Sequence, residues 1–138
     1  MAVRPKVLEY EAAIDADDNL SAEDCPKIEL PPEWTAEHLL LAALLRCSLR
    51  SLSYHAERAG IETRGGGSAR GTITKREADE RYAFVEIEVD LDVRIDSDDD
   101  VSTLIAKAER DCFIGASLAL TPAYRWTVNG VSARAAPL

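Results

Sequence analysis

The chain has 138 residues, 46% of them hydrophobic and 30% charged, with a formal net charge of −9. That length fits one domain with a core of its own, and the charge sets the chain against nucleic acid and anionic lipid, whose phosphates would repel it. No apolar run approaches the roughly 18 residues of a membrane span, and the start, Met1 to Glu11, lacks an apolar signal segment, so the expectation is a cytoplasmic protein with no membrane and no nucleic-acid partner.

Residues 5–13 alternate in polarity and predict a strand. Asp15 to Asn19 is a turn of residues that bond their own backbone. Residues 20–34 carry Pro26, Pro31 and Pro32, which bar a long helix. Thr35 is a good N-cap for the strongest helix in the chain. Glu37 lies in its first turn, where a negative charge suits the helix dipole. His38 stands where a capping box would have Glu. Leu39 to Leu45 is apolar nearly all round and predicts burial on more than one side. Beyond it the helix turns amphipathic, and Gly60 is its natural stop.

Gly65-Gly-Gly67 predicts a bulge or bend in a strand, and it lacks the Lys-Ser/Thr of a phosphate loop. Residues 69–76 read as a strand, and Ala78 to Arg81 as a hairpin connection. Val85, Ile87, Val89, Leu91, Val93 and Ile95 then alternate with Glu86, Glu88, Asp90, Asp92, Arg94 and Asp96. Period two puts the apolar set on one face and the charges on the other. Such a strand belongs to an antiparallel sheet with one wet face, and its carboxylates are a solvated surface. Asp96 to Asp100 leads into a second helix, Val101 to about Arg110, and lacks the Gly and Glu of an EF-hand loop. Cys112 to Leu118 predicts a short helical turn, Tyr124 to Val128 a last strand, and Asn129-Gly130 a turn. The tail to Leu138 is expected to fray. This order of elements is α+β.

The three cysteines are Cys25, Cys47 and Cys112, with no CxxC pair and only His38 and His55 as histidines. Zinc signatures are absent, and neither a metal nor a cofactor is expected. The ordinary reading of such cysteines is as small buried hydrophobes. Leu40, Leu44 and Cys47 share one helix face. Cys112 directly follows the second helix, and Cys25 reads as incidental. Each histidine suits a surface or capping role, and Trp34 and Trp126 are expected to pack against the sheet and the helix ends.

Thr35-Ala-Glu-His-Leu-Leu-Leu-Ala-Ala-Leu-Leu-Arg-Cys47 resembles the helix that carries the reactive cysteine in the OsmC/Ohr family. These are the osmotically inducible and organic-hydroperoxide-resistance proteins. Glu37 stands ten residues before Cys47, as that family's glutamate does. Ala106-Lys-Ala-Glu-Arg-Asp-Cys112 is similar to its second cysteine segment, and the two cysteines lie 65 positions apart, from 47 to 112. The similarity covers most of residues 28–129.

The resemblance implies a single OsmC-like domain over residues 1–138. Its fold would be an antiparallel sheet packed on a long central helix plus a second helix, in an intertwined homodimer with sites at the subunit interface. It also implies a thiol peroxidase of organic hydroperoxides or hydrogen peroxide, with Cys47, Cys112 and Glu37 as catalytic residues. Cys47 would pass through a sulfenic acid to a disulfide with Cys112. An external dithiol (a lipoylated protein, thioredoxin or a small thiol) would reduce that bond. In the family an arginine from the N-terminal region assists the thiolate. Arg4 is the arginine that precedes Glu37 here, and Lys27 is another cation. Phe113 follows Cys112 where many relatives have proline, and suits either the core or an apolar pocket for a bulky hydroperoxide. The alternative is a non-catalytic OsmC-like dimer, a binding or stress-associated protein with redox-inactive thiols.

One constraint is geometric. Ten residues of helix span about 15 Å, so Glu37 and Cys47 cannot touch along one continuous helix. A shared site needs a second subunit's glutamate or a broken helix.

Overall fold

The computed structural model describes residues 3–138. The chain forms two compact units, one ending at Ala36 and the other running Glu37–Leu138.

The first unit is an antiparallel sheet of β1 (Ala12–Ile14), β2 (Asn19–Ala22) and β3 (Ile28–Glu29), in that order. Its first turn is built by Asp15, whose carboxylate accepts the N–H groups of Asp17 at 2.8 Å and Asn19 at 3.0 Å. Those donors, Asn19 first, hold the Asp15 carboxyl below the usual carboxylate range. The strand expected over residues 5–13 shrinks to β1, which pairs with β2 from Ala12 opposite Ala22 to Ile14 opposite Leu20. No helix forms over residues 20–34, and two short strands do. No described residue of this unit is buried. Val7, Leu8, Tyr10, Ile14 and Ile28 are exposed, and Trp34, expected against the sheet, is 51% exposed.

The second unit begins on the long helix α1 (Ala36–Arg58), which starts directly after Thr35. It stops as expected at Gly60, whose φ of 73° suits a residue without a Cβ. The Ile61 N–H donates to the Ala56 carbonyl at 2.8 Å, closing the helix end.

The sheet of this unit has the order β4 (Thr63–Lys75), β5 (Tyr82–Ile95), β6 (Ala123–Val128) and β7 (Val131–Ala133). Two of its pairings are antiparallel; β5 and β6 run parallel. Parallel neighbours need a long crossover, supplied here by α2 (Ser102–Arg110) and α3 (Phe113–Ala116). The crossover delivers Cys112, between α2 and α3, to the same core that receives α1.

Alternation along β5 holds from Ile87 to Ile95: Ile87, Val89, Leu91, Val93 and Ile95 are all buried. They meet Leu44 and Leu52 of α1, Ile105 and Ala108 of α2, and Trp126 and Val128 of β6. On the other face Arg70 pairs with Glu88 at 2.6 Å and Arg125 approaches Asp90 at 3.6 Å, so the carboxylates are a solvated, cross-paired surface.

The alternation breaks at Val85. The register steps from Thr72 opposite Glu86 to Ile73 opposite Phe84, leaving Val85 as the extra residue of a bulge. Phe84 therefore packs on the core, and Val85 is 40% exposed. The bulge expected at Gly65-Gly-Gly67 is not there: those three pair regularly with Val93, Asp92 and Leu91. Gly65 and Gly67 answer a close approach instead. A Cβ on Gly67 would lie 2.3 Å from the Asp90 carbonyl oxygen, and one on Gly65 2.6 Å from that of Asp92.

The tail is also more ordered than expected. Asn129 and Gly130, both at positive φ, make the hairpin turn that lays β7 on β6. The Ala136 N–H then donates to the Ser102 carbonyl at 3.0 Å. No helix among the described residues is long and apolar enough to cross a membrane.

Candidate functional site

Cys47 sits at mid-length of α1, half-buried, and Cys112 is fully buried at the junction of α2 and α3. All three cysteines are free thiols. Folding brings the Cys112 thiol close enough to Cys47, across 65 positions of chain, to act on its ionisation, and the backbone N–H groups of Ile114 and Phe113 act on the same sulfur.

These neighbours act on Cys47 in opposite directions. Burial, the largest effect, pushes its thiol up; the Ile114 N–H pulls it down; the Cys112 thiol pushes it up again; and the Phe113 N–H adds a smaller downward pull. The balance is upward, because desolvation penalises the thiolate more than two amides favour it.

Cys112 has a polar niche of its own. The Gly115 N–H donates to its sulfur at 3.4 Å, and the Ser48 hydroxyl at 3.7 Å. Ser48, one residue beyond Cys47 and fully buried, lies 2.9 Å from the Tyr124 hydroxyl of β6. Burial pushes that phenol up, so it stays protonated. Tyr124 stacks on Trp126 with ring centroids 6.0 Å apart. The indole of Trp126, in turn, donates to Glu109 at 3.4 Å.

Asp111 precedes Cys112, and its charge is engaged. It accepts from Arg110 at 2.8 and 2.9 Å, and it lies 2.7 Å from Nε2 of His55. Arg110 first, then His55, hold its carboxyl below the usual range. His55 thus clips the α2–α3 junction to α1, a role the sequence did not suggest.

The remaining expected site residues fall elsewhere. Glu37 is exposed in the first turn of α1, and the helix runs unbroken from it to Cys47, a rise of about 15 Å. One chain therefore does not bring the two together. Lys27 pairs with Asp15 inside the first unit, and Arg4 is exposed. Phe113 is 62% exposed, which rules out the core-packing expectation for it. Cys25 is exposed in the first unit. Among the described residues no group of three or more His, Cys, Asp or Glu side chains could hold a metal ion.

Sequence reasoning missed Ser48 and Tyr124. A serine on a helix and a tyrosine on a strand carry no motif, and only tertiary folding sets them around one sulfur.

Comparison with known proteins bears on the fold that carries this arrangement. No curated protein sequence matches the chain. Among solved structures the chain is similar to an OsmC-like protein of Mycoplasma pneumoniae, with a TM-score of 0.66 at 17% identity over 91% of this chain and 99% of that one. It is similar also to an OsmC-like protein of unknown function from Vibrio cholerae, with a TM-score of 0.69 at 13% identity over 87% and 99%. A third is the organic hydroperoxide resistance protein OhrB of Bacillus subtilis, with a TM-score of 0.54 at 16% identity over 88% and 96%. At these identities the likeness is one of fold. The model of the OsmC-like protein family matches residues 30–127, a span that contains α1, β4, β5, α2, α3 and both cysteines of the core; the chain belongs to the OsmC-like family.

Proposed function

We propose that the protein is a thiol-dependent peroxidase that reduces organic hydroperoxides or hydrogen peroxide through Cys47 and Cys112. The observation that carries this reading is the juxtaposition of two free thiols, one half-buried and one fully buried, in an OsmC-like fold. Solved proteins of similar fold include organic hydroperoxide resistance proteins, which supports the choice of substrate class.

In this reading the Cys47 thiolate attacks the distal oxygen of ROOH. The O–O bond breaks, the alkoxide takes a proton and leaves as ROH, and Cys47 becomes a sulfenic acid. The Cys112 sulfur attacks the Cys47 sulfur, water leaves with the sulfenic oxygen, and a disulfide forms. An external dithiol (a lipoylated protein, thioredoxin or a small thiol) returns two electrons by exchange. Glu37, about 15 Å up its own helix, joins such a site from a second subunit. We therefore take the working unit as a homodimer. The coreless first unit and its exposed Leu8, Tyr10, Ile14 and Ile28 support this, since apolar side chains without a core call for a covering surface.

A second reading has its own observation. The Cys47 thiol is pushed up, and its strongest neighbours are burial, two amides and another thiol rather than a cation. A non-catalytic OsmC-like dimer with redox-inactive thiols fits that. Mutants separate the two. For the peroxidase, Cys47→Ser abolishes peroxide consumption, and Cys112→Ser lets Cys47 overoxidise to the sulfinic acid under excess cumene hydroperoxide, read by mass spectrometry. Peroxide consumption that persists in Cys47→Ser, or depends on Cys25 alone, contradicts the assignment.

A further inference from the structure

The fully buried Cys112 poses a problem for the reductive half of the cycle. When a dithiol attacks the more exposed Cys47 sulfur, the bond to Cys112 breaks and Cys112 leaves as a thiolate with no exposed surface of its own. A buried anion without donors is costly, and its proton must arrive through protein.

We infer that Ser48 and Tyr124 form a hydroxyl relay that stabilises the Cys112 thiolate and carries its proton to and from solvent. This rests on the peroxidase reading for its place in the cycle, but the relay itself is a property of the niche. Three donors converge on one sulfur region from three elements: Ser48 from α1, the Gly115 amide from α3, and Tyr124 from β6. The Ser48 hydroxyl lies between sulfur and phenol, at 3.7 and 2.9 Å, so one chain of hydrogen bonds runs from Tyr124 through Ser48 to Cys112. Its outer end is accessible. Tyr124 and Gly115 line a cleft of about 510 Å³ shared with Glu109, Thr121 and Ala135. Burial pushes the Tyr124 phenol up, which suits a donor at the mouth of the chain. The other charge near Cys112, Asp111, is bound to Arg110 and His55 and is no part of the chain.

The step balances. A dithiol sulfur bonds to Cys47 as the Cys47–Cys112 bond breaks, and the bonding pair goes to Cys112. Ser48 gives its proton to that thiolate and takes one from Tyr124, which takes one from water in the cleft; the proton that the attacking thiol gave up to solvent restores that water. The second thiol of the reductant then displaces Cys47 and closes its own disulfide. Ser48 touches a reacting atom and is catalytic here; Tyr124 acts through Ser48 and is a positioning residue.

The test uses the full chain in two forms. In a Cys25→Ser background, the Cys47–Cys112 disulfide is made with diamide, without peroxide, and its reduction by dithiothreitol is followed against pH. In Cys25→Ser/Cys47→Ser, Cys112 is the sole thiol, and its ionisation is titrated by thiolate absorbance. We expect Ser48→Ala and Tyr124→Phe each to slow reduction about tenfold, the order of one hydrogen bond to a charged group. Ser48→Ala should also move the Cys112 titration up by about one pH unit, and Tyr124→Phe should move it the same way by less. Tyr124→Phe keeps the ring, so it reports even where Ser48→Ala disturbs folding. Unchanged rates and an unchanged titration in folded variants overturn the relay. A Cys47 that ignores peroxide overturns the peroxidase reading and leaves both relay measurements in force.

Discussion

At the scale of single residues, Cys47 and Cys112 are free thiols whose properties their neighbours set. Cys47 and Cys112 could be singled out because each lies at a fixed offset within a local motif, one on a helix and one just after a helix. The groups that decide their chemistry come from other elements. Phe113, Ile114 and Gly115 present amides, while Ser48 and Tyr124 present hydroxyls. Asp111 illustrates the same limit. Sequence places a bare negative charge beside a thiol, whereas the fold gives that charge to Arg110 and His55. This has a consequence for stability. A carboxyl held below its ordinary value in the folded state stabilises the fold above the unfolded value, about 3.9, and that contribution is lost as pH falls through the folded value. The pair is partly exposed, so the effect is modest. Asp111→Asn should lower the denaturation midpoint at neutral pH, and the gap to wild type should close below about pH 4. A gap independent of pH would mean that the carboxylate charge does no stabilising.

At the scale of elements, helix α1 and the core half of β5 were legible because their periods are long and uninterrupted. The bulge was misplaced because glycines suggested it, yet a bulge is set by pairing. Val85 is the extra residue, and Gly65 and Gly67 of β4 serve a close approach to β5 instead. The parallel pairing of β5 with β6 was likewise invisible, since sequence alternation does not report strand direction. Two neighbouring substitutions check this account of β4. Gly67→Ala meets the Asp90 carbonyl oxygen at 2.3 Å and should cost about 1–3 kcal/mol in urea denaturation. Gly66→Ala meets nothing within 4 Å and should stay within about 0.5 kcal/mol of wild type. Equal effects at the two positions would contradict the close-approach argument.

At the scale of the whole molecule, the family is legible in local motifs, while the separation of Glu37 from Cys47 is a matter of the fold. The unbroken α1 keeps Glu37 away from Cys47 of the same chain, and none of the described residues of the first unit is buried. Both features point the proposal to a dimer. Sedimentation at micromolar concentration should give twice the 15.1 kDa chain mass; a stable monomer would oppose a site shared between subunits. The central claim, however, is the redox pairing of two thiols that the fold sets side by side. The most direct measurement is disulfide mapping of the reduced, full-length protein after brief treatment with cumene hydroperoxide. A Cys47–Cys112 disulfide, formed rapidly and absent from Cys47→Ser, is the predicted result. Three thiols still free after excess peroxide, or a bond that bypasses Cys47, would contradict it.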